Sequence, residues 1–492
     1  MMKIISNIKI IILIITLHLS VIAKTHDKDL SRTIMNLKVT FSKQNPTIPW
    51  QQTEPSVISG QGIAISPNTL ICLASLVQDN ILIQIETYFQ SKKIEAHVKM
   101  IDFDLNLCIL EVKKEDLKQP FIPVKMQSDI KIGSKVDLIW FSKARRFIRT
   151  KATIEYPDPI YFKKNNTAFL YFQLSSDSSP EGYSEPVFLK NKLIGIIESF
   201  NQENKSSSML PTNLIKLFIE KSKKPDYQGI AKWGFSAKKL IDKDTRNFSK
   251  LPDSETRGIF IQDIYDFGTG SSELKKGDII LSINGYDIDP SGNITHPQYG
   301  KLLFLYLLST DKVGDYLTLI ISRDGIQEKI QVQVKTFSPT APLVPQILYN
   351  YKHNYYITGG FVFMELNYNY ISAFGKWAAT MNPLITEQAL KYKFKKHKTK
   401  DRIVILSRVL KHPLNQGYQI LKNKIVTKIN NQPITKLQDV KDIFSKKPEN
   451  DFYYIDFEGY TISVVLPYQK LPQINQDIKK IYAISETSYI NN

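Results

Sequence analysis

The chain has 492 residues, 42% of them hydrophobic and 23% charged, with a formal net charge of +18. That length holds about three domains of ~150 residues, and the composition is that of packed, soluble protein and not of a disordered chain. Such positive charge can draw a protein to membranes, nucleic acid or acidic polymers. Here it is spread along the chain. The densest stretch, residues 391–400 (KYKFKKHKTK), reads as a helix face or loop, and nothing beyond charge supports nucleic-acid recognition. Two cysteines, Cys72 and Cys108, with few histidines nearby make a poor zinc site.

Lys3 and Lys9 precede an apolar run over residues 10–23, and Val21-Ile22-Ala23 offers small-residue cleavage chemistry. Residues 1–23 therefore read as a signal peptide, too short to span comfortably as a mature membrane helix, with an uncleaved anchor as the alternative. No Cys follows the run, which argues against a lipoprotein anchor. The expectation is export, to a periplasm or the exterior, with membrane association as the alternative. Residues 24–50 are polar and mixed and read as an N-terminal arm. From Ser56 short apolar runs alternate with turn residues, at 62–65, 70–73, 81–85, 94–100, 107–110 and 136–140. Strands this short and closely spaced predict an all-β barrel or sandwich over 51–222. It closes on a helix over 212–220 with Thr212 as N-cap. Cys72 and Cys108 fall in such apolar runs and read as buried thiols, able to pair in an oxidising compartment if geometry allows.

Beyond a charged linker (KSKKPDY, 221–227) the texture repeats twice, over 223–337 and 338–470. Each unit runs from a Gly-bearing apolar strand to a strand and turn, Ile283-Asn284-Gly285 in the first and Ile429-Asn430-Asn431 in the second. Two copies of one small β-rich domain follow. Residues 471–492 read as an irregular, mobile tail. The first unit carries Leu274-x-x-Gly277-Asp278-x-Ile280-Leu281-Ser282-Ile283-Asn284-Gly285, a PDZ-type signature in which Asn284-Gly285 supplies positive φ for a tight turn. A PDZ domain grips a peptide C-terminus with backbone N–H groups of one loop and adds the peptide as a strand at the sheet edge. The candidates for that loop are Trp233, Gly234 and Phe235 in the first unit and Gly360, Phe361 and Val362 in the second. The competing reading is of core strands with unused grooves.

Inside the β-rich region, Ser179-Pro180-Glu181-Gly182-Tyr183-Ser184-Glu185-Pro186 lies before the apolar strand Leu193-Ile194-Gly195-Ile196-Ile197. The setting resembles the nucleophile segment, roughly NPGNSGGP, of the Deg/HtrA family. With the PDZ-type units, the resemblance covers nearly the whole mature chain. It implies a mainly β fold: a trypsin-like double β-barrel followed by two PDZ (α+β) domains. Family chemistry needs a Ser nucleophile, a His that takes its proton and an Asp that orients the imidazole. The family's LTNAHVV-like string matches Ile71-Cys72-Leu73-Ala74-Ser75-Leu76-Val77, so Ser75 stands for His. Its DLALL-like strand matches Asn106-Leu107-Cys108-Ile109-Leu110, so Asn106 stands for Asp, and Tyr183 stands for Ser.

The former oxyanion loop is Glu181, Gly182, Ser184 and Glu185. Its two glutamates replace glycines whose freedom lets N–H groups converge on developing negative charge, each donor being worth ~3–4 kcal/mol. A tyrosine phenol, with a pKa of about 10, is a poor nucleophile without a base. His97 reads as a structural histidine, and Asp102 and Asp104 have no imidazole to orient.

The resemblance thus implies an exported pseudoprotease that serves as peptide-binding scaffold, holdase chaperone or regulatory subunit in protein quality control. Its partners would be unfolded proteins or peptide C-termini held by the PDZ domains. A homo-oligomer in multiples of three and an active relative complete the list, with no metal, cofactor or nucleic acid. Two alternatives stand beside it: an active serine endopeptidase using a displaced residue such as Ser184, and a basic protein docking on anionic lipid or polysaccharide.

Overall fold

The short apolar runs of the first half become strands that curl into barrels; Lys135–Phe141 buries mostly alternate residues, while Thr69–Leu73 is buried at every position. The computed structural model describes residues 30–87, 93–142, 146–163, 166–176, 180–225, 227–461 and 463–491; the expected signal peptide lies outside them. The chain divides into two compact units, one of Met1–Phe41, Pro55–Ile160 and Phe169–Tyr227, the other of Ser42–Glu54, Tyr161–Ala168 and Gln228–Asn492.

The first unit holds two closed barrels. Strands β1 (Ile34–Phe41), β2 (Ser56–Ser66), β3 (Thr69–Leu73), β4 (Asn80–Glu86), β5 (Ile94–Asp102) and β6 (Leu107–Glu111) form one, in the order β1-β2-β3-β6-β5-β4. Strands β7 (Lys135–Phe141), β8 (Phe147–Phe162), β9 (Thr167–Ser176), β10 (Pro186–Leu189), β11 (Lys192–Asn201) and β12 (Ser206–Pro211) form the other, ordered β10-β11-β12-β9-β8-β7. Together they are the expected trypsin-like pair of barrels.

The expectation of an arm over 24–50 needs correction. Met35, Leu37 and Val39 are buried in β1, which pairs with both β2 and β4 and closes the first barrel. Cys72 and Cys108 face each other across β3 and β6 as buried free thiols. A hydrogen bond with Cys108, then burial, pushes the Cys72 thiol up. Helix α1 (Thr212–Lys221) follows β12, but its cap position is Pro211, and the Thr212 hydroxyl instead donates to the Gln127 carbonyl at 2.5 Å.

The two β-rich copies lie in the second unit. The first has β13 (Phe235–Lys239), β14 (Ile259–Ile264), β15 (Ile279–Ile283), β16 (Tyr286–Asp287), β17 (Asn293–His296), β18 (Gly300–Leu303), β19 (Tyr316–Arg323) and β20 (Ile326–Gln333). Its main sheet runs β13-β14-β15-β19-β20, with β16 paired to β15. The second has β21 (Tyr355–Thr358), β22 (Phe361–Glu365), β23 (Val404–Val409), β24 (Lys424–Ile429), β25 (Gln432–Pro433), β26 (Phe452–Phe457), β27 (Val464–Pro467) and β28 (Ser488–Tyr489). Its sheet runs β27-β26-β24-β23-β22-β21-β28, with β25 on β24. The repeat predicted from sequence is visible as the correspondence of β13, β14, β15, β19 and β20 with β22, β23, β24, β26 and β27. Each copy turns after its central strand through left-handed residues, Asn284-Gly285 and Asn430-Asn431, as a tight hairpin requires.

Helices α2 (Leu437–Phe444) and α3 (Leu471–Ile481) pack on the second sheet. The expectation of a mobile tail over 471–492 is therefore corrected too. Leu471, Ile474 and Ile478 recur at helical spacing and enter the core, and β28 pairs with β21.

Candidate functional site

The short turn Ala74–Leu76 ends β3 and carries Ser75, while Asn106 sits just before β6 in a left-handed conformation (φ 54°) that Asn tolerates well. The β3–β6 ladder brings the two together. The Ser75 backbone N–H donates to Asn106 Oδ1 at 2.8 Å, and Asn106 Nδ2 donates to Glu198 Oε1 at 2.8 Å. Burial raises the Glu198 carboxyl above its ordinary range, against hydrogen bonds from Asn106 and Tyr171. The position that should orient an imidazole is thus an amide bridging a backbone N–H and a carboxylate. His97 is the one histidine among the described residues of this unit. It lies exposed on β5 opposite Glu111, five residues along from Asn106; at ~3.3 Å per residue that is roughly 17 Å away.

The loop before β10 carries Tyr183 and is closed by its own carboxylate. Glu185, 3% exposed, accepts from the backbone N–H of Glu181 (2.8 Å) and Gly182 (3.2 Å) on Oε1, and from that of Tyr183 (2.8 Å) on Oε2. These are the donors that an oxyanion loop would aim at substrate. Burial raises the Glu185 carboxyl despite those bonds. The loop is held from both sides: Gln61 N–H donates to the Tyr183 carbonyl at 2.8 Å, and Ser184 N–H donates to the Ile197 carbonyl at 3.1 Å. Ser184 is fully buried at φ 76°, and its hydroxyl accepts from Leu73 N–H at 2.8 Å. A hydroxyl so placed is closed off from solvent. A cavity of about 230 Å³ adjoins the loop, lined by Trp140, Phe141, Glu181, Tyr183 and Glu185 among others.

Sequence reasoning read Glu185 as charge of the wrong sign and did not foresee that it would satisfy the loop's own donors. It also missed Glu198. The one signal available was a carboxylate directly after the apolar run 193–197.

The six residues proposed to bind peptide are all buried. Strand β22, with Phe361 and Val362, pairs with β21 on one side and β23 on the other, and Gly359 and Gly360 form the turn from β21 into β22. No edge is left there for an added strand. The expectation for Gly360, Phe361 and Val362 is corrected accordingly: the chain's own β21 takes the place of a ligand, beneath α2, with the Tyr356 and Phe444 rings 6.1 Å apart.

The first copy differs. Among the described residues only β14 pairs with β13, whose Ser236 and Ala237 are half-buried and Lys238 and Lys239 exposed. Its loop donors are partly committed, because Trp233 N–H donates to the Asn166 carbonyl (3.1 Å) and Gly234 N–H to that of Thr269 (2.8 Å). Asn166 Nδ2 in turn donates to the carbonyls of Trp233 (2.6 Å) and Phe235 (3.0 Å). Nothing in the sequence marked Asn166. Among the described residues no cluster of three or more His, Cys, Asp or Glu side chains could hold a metal ion.

Two closed six-stranded barrels followed by two PDZ-like sheets define the class: a trypsin-like protease fold with PDZ domains. A PDZ domain family model matches residues 344–488, taking in the former tail. Protease Do-like 4, mitochondrial, of Arabidopsis thaliana is 24% identical over 92% of this chain and 83% of its own length. Protease Do-like 2, chloroplastic, of the same plant is 22% identical over 90% of the chain and 72% of its own length. A serine protease DegP homolog of Plasmodium falciparum is 21% identical over 93% and 67%. Over nine-tenths of its length the chain is thus similar to Do-like and DegP-type proteases, the resemblance to the Deg/HtrA family read from its sequence.

Proposed function

We propose that this chain is a pseudoprotease of the Deg/HtrA family, exported by its N-terminal segment and retained as a peptide-binding scaffold in protein quality control. The observation that carries the reading is the Glu185 carboxylate bonded to the N–H groups of Glu181, Gly182 and Tyr183. A negatively charged group of the protein itself sits where transition-state charge would have to develop, and Ser75, Asn106 and Tyr183 supply neither base, orienting acid nor activated nucleophile. The buried, hydrogen-bonded hydroxyl of Ser184 argues against a displaced nucleophile.

Peptide capture belongs to the first PDZ domain. The outer side of β13 is a sheet edge to which an extended segment can add. Committed N–H groups at Trp233 and Gly234 favour internal strands of unfolded polypeptide over free C-termini. The chain acts as a holdase within a homo-oligomer in multiples of three, or as a regulatory subunit beside an active relative. The test is hydrolysis of casein by the purified chain beside Ser75→His/Asn106→Asp/Tyr183→Ser/Glu185→Gly. A silent parent that still suppresses casein aggregation is expected; cleavage by the parent overturns the reading.

A further inference from the structure

The basic stretch 391–400 leaves the helix Pro383–Lys391 as a loop and lines a cavity of about 620 Å³ in the second PDZ region, a volume typical of small-molecule sites. We propose that this cavity binds a small phosphorylated anion built on a flat apolar body, of the nucleotide type.

Four cations line it, Lys396, Lys400, Arg402 and Lys436, against two carboxylates, Glu365 and Asp401. Lys396 Nζ lies over the Phe267 ring at 5.2 Å, which leaves the other three to serve a ligand. Among the described residues Arg402 is held by two carbonyls, Nη1 on that of Asp401 (2.7 Å) and Nη2 on that of Thr340 (3.1 Å), and pairs with no carboxylate, so its charge is fixed in place and not neutralised. Lys400 forms no ion pair among the described residues, and Lys436 has only an exposed contact with Asp401 at 4.0 Å, a kind of pair worth little. Glu365 accepts from Leu437 N–H (3.3 Å) and Asn354 Nδ2 (3.4 Å), neutral donors that hold it in place and leave its charge, so the four cations outnumber the two carboxylates without being matched by them. His397 Nδ1 accepts from the N–H of Thr399 and Lys400 at 3.2 Å, which fixes the bend that presents Lys400.

The apolar part of the wall, with Leu343, Leu348 and Tyr351, suits a ring. An acidic peptide fits less well. It would need a sheet edge; β22, which carries Glu365 into the wall, is paired on both sides, and the edge strand β28 is only two residues long.

Calorimetric titration of the full chain with ATP, pyrophosphate and a hexa-aspartate peptide tests the proposal. The comparison uses the parent, Lys400→Glu/Lys436→Glu, Lys400→Arg and, as a remote control, Lys329→Glu. Thermal melting of each variant checks that the fold is kept. Saturable ATP binding is expected, weakened at least tenfold in the double variant, kept in Lys400→Arg and Lys329→Glu, reduced by added salt, and tighter than pyrophosphate binding. Absence of saturable ATP binding overturns the proposal, as does equal affinity in the double variant. Pyrophosphate binding as tightly as ATP removes the role of the apolar wall, and binding of the peptide alone reassigns the cavity to an acidic protein partner.

Discussion

The two PDZ domains share an order of elements and differ in what lies beside one strand. In the first, β13 is the edge of its sheet; in the second, the equivalent β22 is enclosed by β21 and β23, and β21 is covered in turn by β28. The ligand mode of a PDZ domain is strand addition, so the chain has used that mode on itself in one copy and left it open in the other. A groove inferred from a loop motif is therefore no better than the knowledge of what flanks it.

The largest effect is expected at the hairpin that fills the second groove. Gly360 has φ 84°, and a Cβ there would lie 2.4 Å from Asn415 Nδ2 and 2.6 Å from the Leu410 carbonyl. Gly360→Val should cost more than ~3 kcal/mol, read as a lower urea midpoint. Ile357→Asp places a carboxylate at a buried position of β21 and should cost about 3 kcal/mol. If it frees the edge of β22, an extended peptide should bind at two sites per chain instead of one; unchanged stoichiometry would break the comparison.

In the first domain, Asn166→Ala leaves the carbonyls of Trp233 and Phe235 without their donor and should cost about 1–3 kcal/mol. It should also speed amide exchange at Trp233, with Asn166→Asp no substitute because a carboxylate cannot donate. The smallest effect is one of pH. The folded carboxyl of Glu185 is raised above its ordinary 4.5, so its contribution is fully present below that value and lost as pH rises through the folded one. The parent should therefore gain stability relative to Glu185→Gln on going from pH 7 to pH 4 in chemical denaturation.

Much of this was legible in the sequence, for identifiable reasons. Pro180 and Pro186 and the run 193–197 fix the frame of the Tyr183 loop, so the positions of Ser75, Asn106 and Tyr183 could be read by local matching, and the structure does bring Ser75 to Asn106. The double turn signals Asn284-Gly285 and Asn430-Asn431 exposed the repeat. Strand β1 was missed because its alternation, IMNLKVTF, sits in a polar arm. Helix α3 was missed although Leu471, Ile474 and Ile478 carry the right spacing, since polar residues and a proline surround them. The pairing of β28 with β21 joins residues more than 130 positions apart, and the bonds of Asn166 to Trp233 span 67. No local pattern encodes either. The function of Glu185 was hidden for a different reason: its charge is visible in the sequence, its three donors only in the folded loop.

The central claim of the proposal, that no hydroxyl of the Tyr183 loop is activated, is tested most directly with a fluorophosphonate, which forms a covalent adduct with activated serine hydroxyls, and intact-mass analysis of the folded chain. The account predicts no adduct under conditions that label an active serine protease to completion. An adduct mapped to Ser184 or Tyr183 would contradict it.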